Sequence, residues 1–152
     1  MKVQAQVALP LPIEQAFALM ADLDRWLPEV DESVLSVTRV NDAELGIGAI
    51  WTERVKAPVR PMEFRIEFTE YNPPHRMTIA TIGPILHGTG VTSFESVGDD
   101  ETVVRFELDI SPRGLGFLLL PIMGSRLRDT EQARFDEVKR LVERGQLVPP
   151  PD

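Results

Sequence analysis

Hydrophobic and polar residues alternate from Lys2 to Leu9, with Val3, Ala5, Val7 and Leu9 on one side and Lys2, Gln4 and Gln6 on the other. A period of two predicts a half-buried strand. Pro10 and Pro12 end it, and Pro12 opens a helix in whose first turn its missing N–H is harmless. Ile13, Phe17 and Met20 share one face of that helix. Asp22 is placed to cap a second short helix, Leu23 to Trp26, which Pro28 ends. The period returns to two from Val34 to Val40, and Asn41-Asp42 turns the chain. A further strand runs from Ala49 to about Val55. Met62 to Phe68 alternates most clearly, setting Met62, Phe64, Ile66 and Phe68 against Glu63, Arg65 and Glu67.

Asn72-Pro73-Pro74 is a turn, because proline fits neither strand pairing nor a helix interior. Strands are predicted from Arg76 to Ile82 and from His87 to Ser96, with Gly83-Pro84 as the break between them. Gly98-Asp99-Asp100 is a hairpin turn, and Thr102 to Ile110 is the last strand, with Val104, Phe106, Leu108 and Ile110 inward. Leu115 to Arg144 is helical. Pro121 clashes with the carbonyl of Phe117, which predicts a short helix to about Leu120 and a long one from Pro121. Gly145 is the C′ residue. Residues 1–145 form one domain, and 146–152 an extended C-terminal tail.

The pattern is an α+β domain: a seven-stranded antiparallel sheet, two short helices after strand 1 and a long C-terminal helix to cover the sheet. A curved sheet cannot pack tightly along one helix over its whole length, so a cavity between them is expected.

Composition narrows the chemistry. The 152 residues include no cysteine and only two histidines, His75 and His87, which excludes disulfides, thiolate metal sites and a cysteine nucleophile. No metal and no cofactor are expected. The net charge of −8 argues against nucleic acid as a partner. Early alternation breaks any signal-peptide core, and the longest apolar run, Phe117 to Met123, is far below the roughly 20 residues of a spanning helix. A cytoplasmic protein without stable membrane insertion is expected; a protein partner is left open. Residues 14–44 carry eight acids and two bases, residues 113–144 seven bases and five acids. These are either solvated surfaces or two segments that dock on each other.

Several motifs occur in a telling order: Leu11-Pro12-Ile13-Glu14-Gln15-Ala16-Phe17, Asp22-Leu23-Asp24-Arg25-Trp26-Leu27-Pro28, Gly46-Ile47-Gly48-Ala49, Glu70-Tyr71-Asn72-Pro73-Pro74-His75-Arg76, Phe94-Glu95-Ser96 and Pro112-Arg113-Gly114. Together they make the whole chain resemble the START-like (SRPBCC) helix-grip superfamily, and within it the polyketide cyclase/dehydrase and lipid-transport type. Residues 21–28 are also similar to the coenzyme-Q-binding branch. The resemblance implies a hydrophobic cavity holding a small apolar or amphipathic molecule such as a lipid, quinone or polyketide-like aromatic. It implies no particular reaction.

The residues expected to face such a ligand are Trp51, Phe64, Ile66, Phe68, Thr92, Phe94, Phe106, Leu108, Leu120, Met123, Leu127, Glu131 and Arg134. Gly88, Gly90 and Thr92 are small inward positions that bend the sheet or leave ligand space. Glu131 and Arg134 lie within the apolar stripe of the long helix. They are either the polar end of the cavity or a local pair at the helix edge. Trp51 and Glu53 share a face, either inward, with Glu53 in reach of Arg134, or outward and solvated. His75 and His87 read as surface residues. Leu115 and Phe117 to Leu120 are either core or a lid that touches a membrane or a partner.

Three functions are compatible with this reading. The first is a non-catalytic carrier of a hydrophobic molecule. The second is a metal-free cyclase or dehydratase using Glu53, Glu131 and Arg134 as its catalytic set. The third is a protein-interaction module using the acidic 14–44 or the apolar 115–123 segment.

Overall fold

The computed structural model describes residues 1–41 and 44–151, except for the side chain of Met123. The predicted turn at Asn41-Asp42 therefore lies partly outside the described residues. The elements are β1 (Lys2–Leu9), α1 (Ile13–Ala21), α2 (Leu23–Val30), β2 (Val34–Arg39), β3 (Ile50–Val55), β4 (Met62–Asn72), β5 (Arg76–Ile82), β6 (Leu86–Gly98), β7 (Glu101–Pro112) and α3 (Gly116–Glu143). All seven strands pair antiparallel in the order β1-β7-β6-β5-β4-β3-β2. This is the curled, helix-grip α+β sheet that the alternating segments and the long amphipathic helix predict. α3 lies over β1 and meets α2.

Two helices are longer than expected, for the same reason. α2 continues through Pro28 to Val30, because Leu23, Trp26 and Leu27 are buried and Val30 packs beside them. That stripe at spacings of three, four and seven outweighs one missing hydrogen bond. α3 is one helix from Gly116 to Glu143 with Pro121 inside it, rather than two pieces. Phe117 and Pro121 are both exposed, so the break in the ladder falls on the solvent side. Asp22 makes no capping bond; its carboxylate accepts from Arg25 Nε at 3.1 Å instead. At the far end, Gly145 takes φ +71°. Its N–H reaches the Val142 carbonyl while that of Gln146 reaches Leu141, which closes α3 in a Schellman motif. Leu147 then folds back into the core.

A register shift in β4 between Phe68 and Glu70 resets the alternation, so Tyr71 joins Phe68 and Phe17 on the inner side. The core itself is divided. One cluster gathers Leu9, Phe17, Met20, Trp51, Phe68, Val104 and Val138; a smaller one gathers Val3, Leu86, Leu108, Ile110 and Leu120. Phe106 packs against both.

The start of α3 abuts the β5–β6 connection. A Cβ on Gly116 would collide with the Ile85 carbonyl oxygen, a backbone atom that has no side-chain freedom to yield. A glycine-to-alanine change in a helix ordinarily stabilises by about 1 kcal/mol. Gly116→Ala is expected to do the opposite and destabilise by about 1–3 kcal/mol through overpacking, as read by urea denaturation.

Candidate functional site

A cavity of about 280 Å³ lies between the two core clusters. Its wall is apolar over most of its extent. Phe64, Ile66 and Phe68 of β4, Thr92 of β6, Phe106 and Leu108 of β7, and Leu127, Glu131 and Arg134 of α3 all line it, as the alternation predicts. So does Glu53. Trp51, Phe94 and Leu120 do not reach it. Trp51 is wholly buried behind the wall, its indole N–H donating to Asp24 Oδ1 at 3.0 Å and its ring edge-on to Phe68. Phe94 packs on Phe17, and Leu120 is part of the smaller cluster. Parity shows that a side chain points inward, not how deep it sits. The side chain of Met123 lies outside the described residues.

Other lining residues were missed from sequence. Leu23, Trp26 and Leu27 of α2 close one side, and Phe135 of α3 completes the helix contribution. Both were legible as helical stripes: 23, 26 and 27 in α2, and 131, 134, 135 and 138 in α3. The small residues of β6 do not open the cavity. A Cβ on Gly90 would come within 2.8 Å of the Phe106 ring, and one on Gly88 within 2.7 Å of the Asp109 carbonyl oxygen. Glycine here lets an aromatic ring and a neighbouring strand approach, and only Thr92 of the three lines the space.

The polar end is built by four charged groups from three parts of the chain. Arg134 Nε donates to Asp31 Oδ2 at 2.7 Å, and its Nη1 donates to Glu131 Oε1 at 3.1 Å. Asp31 Oδ1 also accepts from the backbone N–H and hydroxyl of Ser33 at 2.9 and 2.6 Å. The pair with Glu131 is the local contact that the spacing of three allows, yet both residues face the cavity. Asp31 was not foreseen as the partner. It stands 103 residues away in the chain, within the acidic early segment. That segment is therefore not only surface: it supplies one of the carboxylates at the cavity's charged end. Glu53 faces inward and is buried at 8% exposure, contrary to the solvated alternative. It forms no ion pair with Arg134 and no side-chain hydrogen bond among the described residues.

Burial raises the Glu53 carboxyl above the usual range; the charges of Glu131 and Asp31 add to this and Arg134 opposes it. Burial likewise raises Glu131, with Asp31 adding and Arg134 opposing. Burial acts on Asp31 in the same direction, but its bonds from Ser33 and the Arg134 guanidinium prevail and hold it low. The carboxylates together raise Arg134, against burial.

His75 and His87 are exposed, as expected. At the start of α3, Leu115, Phe117, Leu118 and Leu119 are exposed and Leu120 alone of the predicted run is buried, so plain core burial does not describe this segment. The local sequence offers apolar residues all round the helix, and one face cannot bury them all. No helix among the described residues is long and apolar enough to cross a membrane.

The signs of these shifts set the pH response. Glu53 and Glu131 bind protons in the folded state at a pH where the unfolded chain has lost them, so acidification from pH 7 toward 5 adds stability. Asp31 contributes in the other direction, and its share is lost as pH falls below about 4 through its lowered pKa. Arg134→Met leaves three carboxylates without their cation. It is expected to destabilise by about 3 kcal/mol at pH 7, and by less at pH 5 as the glutamates take up protons. Urea denaturation at the two pH values checks both numbers.

No curated protein matches the sequence. Among solved structures, a protein of Thermus thermophilus superposes with a TM-score of 0.78 at 19% identity, over 95% of this chain and 99% of that one. An aromatase/cyclase, Zhui, from a Streptomyces species superposes with a TM-score of 0.70 at 13% identity, over 93% and 95%. A START superfamily protein from Mycobacterium smegmatis does so with 0.64 at 14%, over 90% and 98%. At these identities the likeness is one of fold. The family model described as polyketide cyclase / dehydrase and lipid transport matches residues 1–143, nearly the whole chain, and the protein belongs to that family.

Proposed function

We propose that this protein binds and carries a hydrophobic small molecule, such as a lipid, quinone or polyketide-like aromatic, in the cavity between sheet and α3. The observation that carries the reading is the cavity itself. About 280 Å³ of largely apolar space divides the core into two clusters. On the scale of ~24 cal/mol per Å³ for unfilled core volume, such a space forgoes several kcal/mol of packing. That is a large share of the 5–15 kcal/mol by which a domain of this kind is stable. A site kept open at that cost has a use for the opening, and a concave apolar wall with a few converging polar groups suits a small ligand.

A second reading rests on Glu53, Glu131 and Arg134 facing the same cavity. A buried carboxyl with a raised pKa and no side-chain hydrogen bond is equipped to move a proton, and a guanidinium beside it to hold an enolate oxygen. This is the cyclase or dehydratase alternative. It shares the cavity and differs only in the fate of the bound molecule.

Nile red, a neutral dye, is expected to bind saturably at one site. Leu127→Trp, which extends a half-buried lining side chain into the space, is expected to weaken binding at least tenfold while unfolding stays cooperative. Fluorescence titration reads both. Absence of saturable binding to the unaltered protein contradicts the carrier reading.

A further inference from the structure

We propose that the cavity selects an uncharged amphipathic ligand whose hydroxyl group sits on Glu53, and that it discriminates against carboxylates of the same apolar body. This rests on the reading that the cavity holds a small molecule, and it adds which chemical class is admitted.

The inference comes from the way the polar end is occupied. Arg134 is the natural receptor for an acidic head group, but Asp31 and Glu131 already hold its Nε and Nη1. With Glu53, three carboxyl groups surround one guanidinium. An arriving carboxylate meets carboxyl groups already crowded round the cation and has only the N–H groups that Asp31 and Glu131 leave to bind. Glu53 is different. It is more than nine-tenths buried, it faces the cavity, and it has no side-chain hydrogen bond among the described residues. Its carboxyl opens onto the cavity, and a ligand that supplies a hydrogen bond there gains that bond on binding.

The other polar side chains of the wall do not meet that need. The Ser33 hydroxyl is engaged by Asp31. Thr81, Thr92 and Thr130 are hydrogen-bonding but uncharged. Lys56 and Arg126 also contribute to the lining, but both side chains are exposed, so they stand at the mouth in water and attract an anion weakly. A hydroxyl satisfies Glu53 in either protonation state, donating to the carboxylate or accepting from the acid. Burial holds this carboxyl above the usual range, and a hydroxyl pairs with it whichever form it takes.

The test uses three probes with one ring system: naphthalene, 2-naphthol and 2-naphthoate. Each displaces Nile red at pH 7 in 0.5 M salt, where attraction to the exposed Lys56 and Arg126 is screened. Naphthol is expected to bind about tenfold more tightly than naphthalene, and naphthoate at least tenfold more weakly than naphthol. Glu53→Leu should abolish the preference for naphthol over naphthalene. Glu53→Gln, which keeps hydrogen-bonding capacity without the charge, should retain that preference and improve naphthoate binding. Naphthoate binding as tightly as naphthol, or a ranking unchanged in both variants, overturns the proposal while leaving the carrier reading intact. Failure of all three probes and of Nile red itself defeats both.

Discussion

Arg134 is the interaction on which the rest of the site depends. Its guanidinium is held by Asp31, at the corner between α2 and β2, and by Glu131, one helical turn away. The first bond ties the long helix to an element more than a hundred residues earlier in the chain. The second stiffens the helix where it crosses the cavity. Because both carboxylates are mostly buried, neither bond is the weak, screened kind found on surfaces. Removing the cation would strand negative charge inside the domain. Glu53 forms no ion pair among the described residues, and the guanidinium that faces it is already engaged on two sides.

Around that anchor the fold leaves space for a simple geometric reason. One helix cannot fill the concave face of a seven-stranded sheet. The smaller cluster of Val3, Leu86, Leu108, Ile110 and Leu120 and the larger one around Phe68 and Trp51 each pack well, and the volume between them stays open. Glycines do not create this opening. Gly90 admits the Phe106 ring, and Gly88 admits the β7 backbone. The emptiness is a property of the curvature, and Glu53 of β3 with Glu131 and Arg134 of α3 sets the polarity of its charged end.

Much of this was legible in the residues, and the gaps have physical causes. Period-two alternation located β1, β4 and β7, where one face is wetter than the other, and glycine and proline breaks bounded most of the strands between them. Proline misled twice, at Pro28 and Pro121, where a buried stripe or an exposed helix side tolerates the lost bond. Inward parity correctly turned Glu53, Phe64 and Leu108 to the interior, yet it could not separate Trp51 and Phe94, which form the layer behind the wall, from residues that line it. The Asp31–Arg134 bond was beyond reach, since nothing local to either residue names a partner so far along the chain. The uneven charge of the two segments was its only trace.

The central claim is that this domain is a container for an apolar or amphipathic molecule. The most direct test is mass spectrometry of small molecules released on denaturing extraction, from protein purified without detergent. The account predicts a near-stoichiometric compound with an apolar body small enough for the cavity, absent from the Leu127→Trp protein prepared in parallel. Recovery of no such compound, or equal recovery from both proteins, would contradict it.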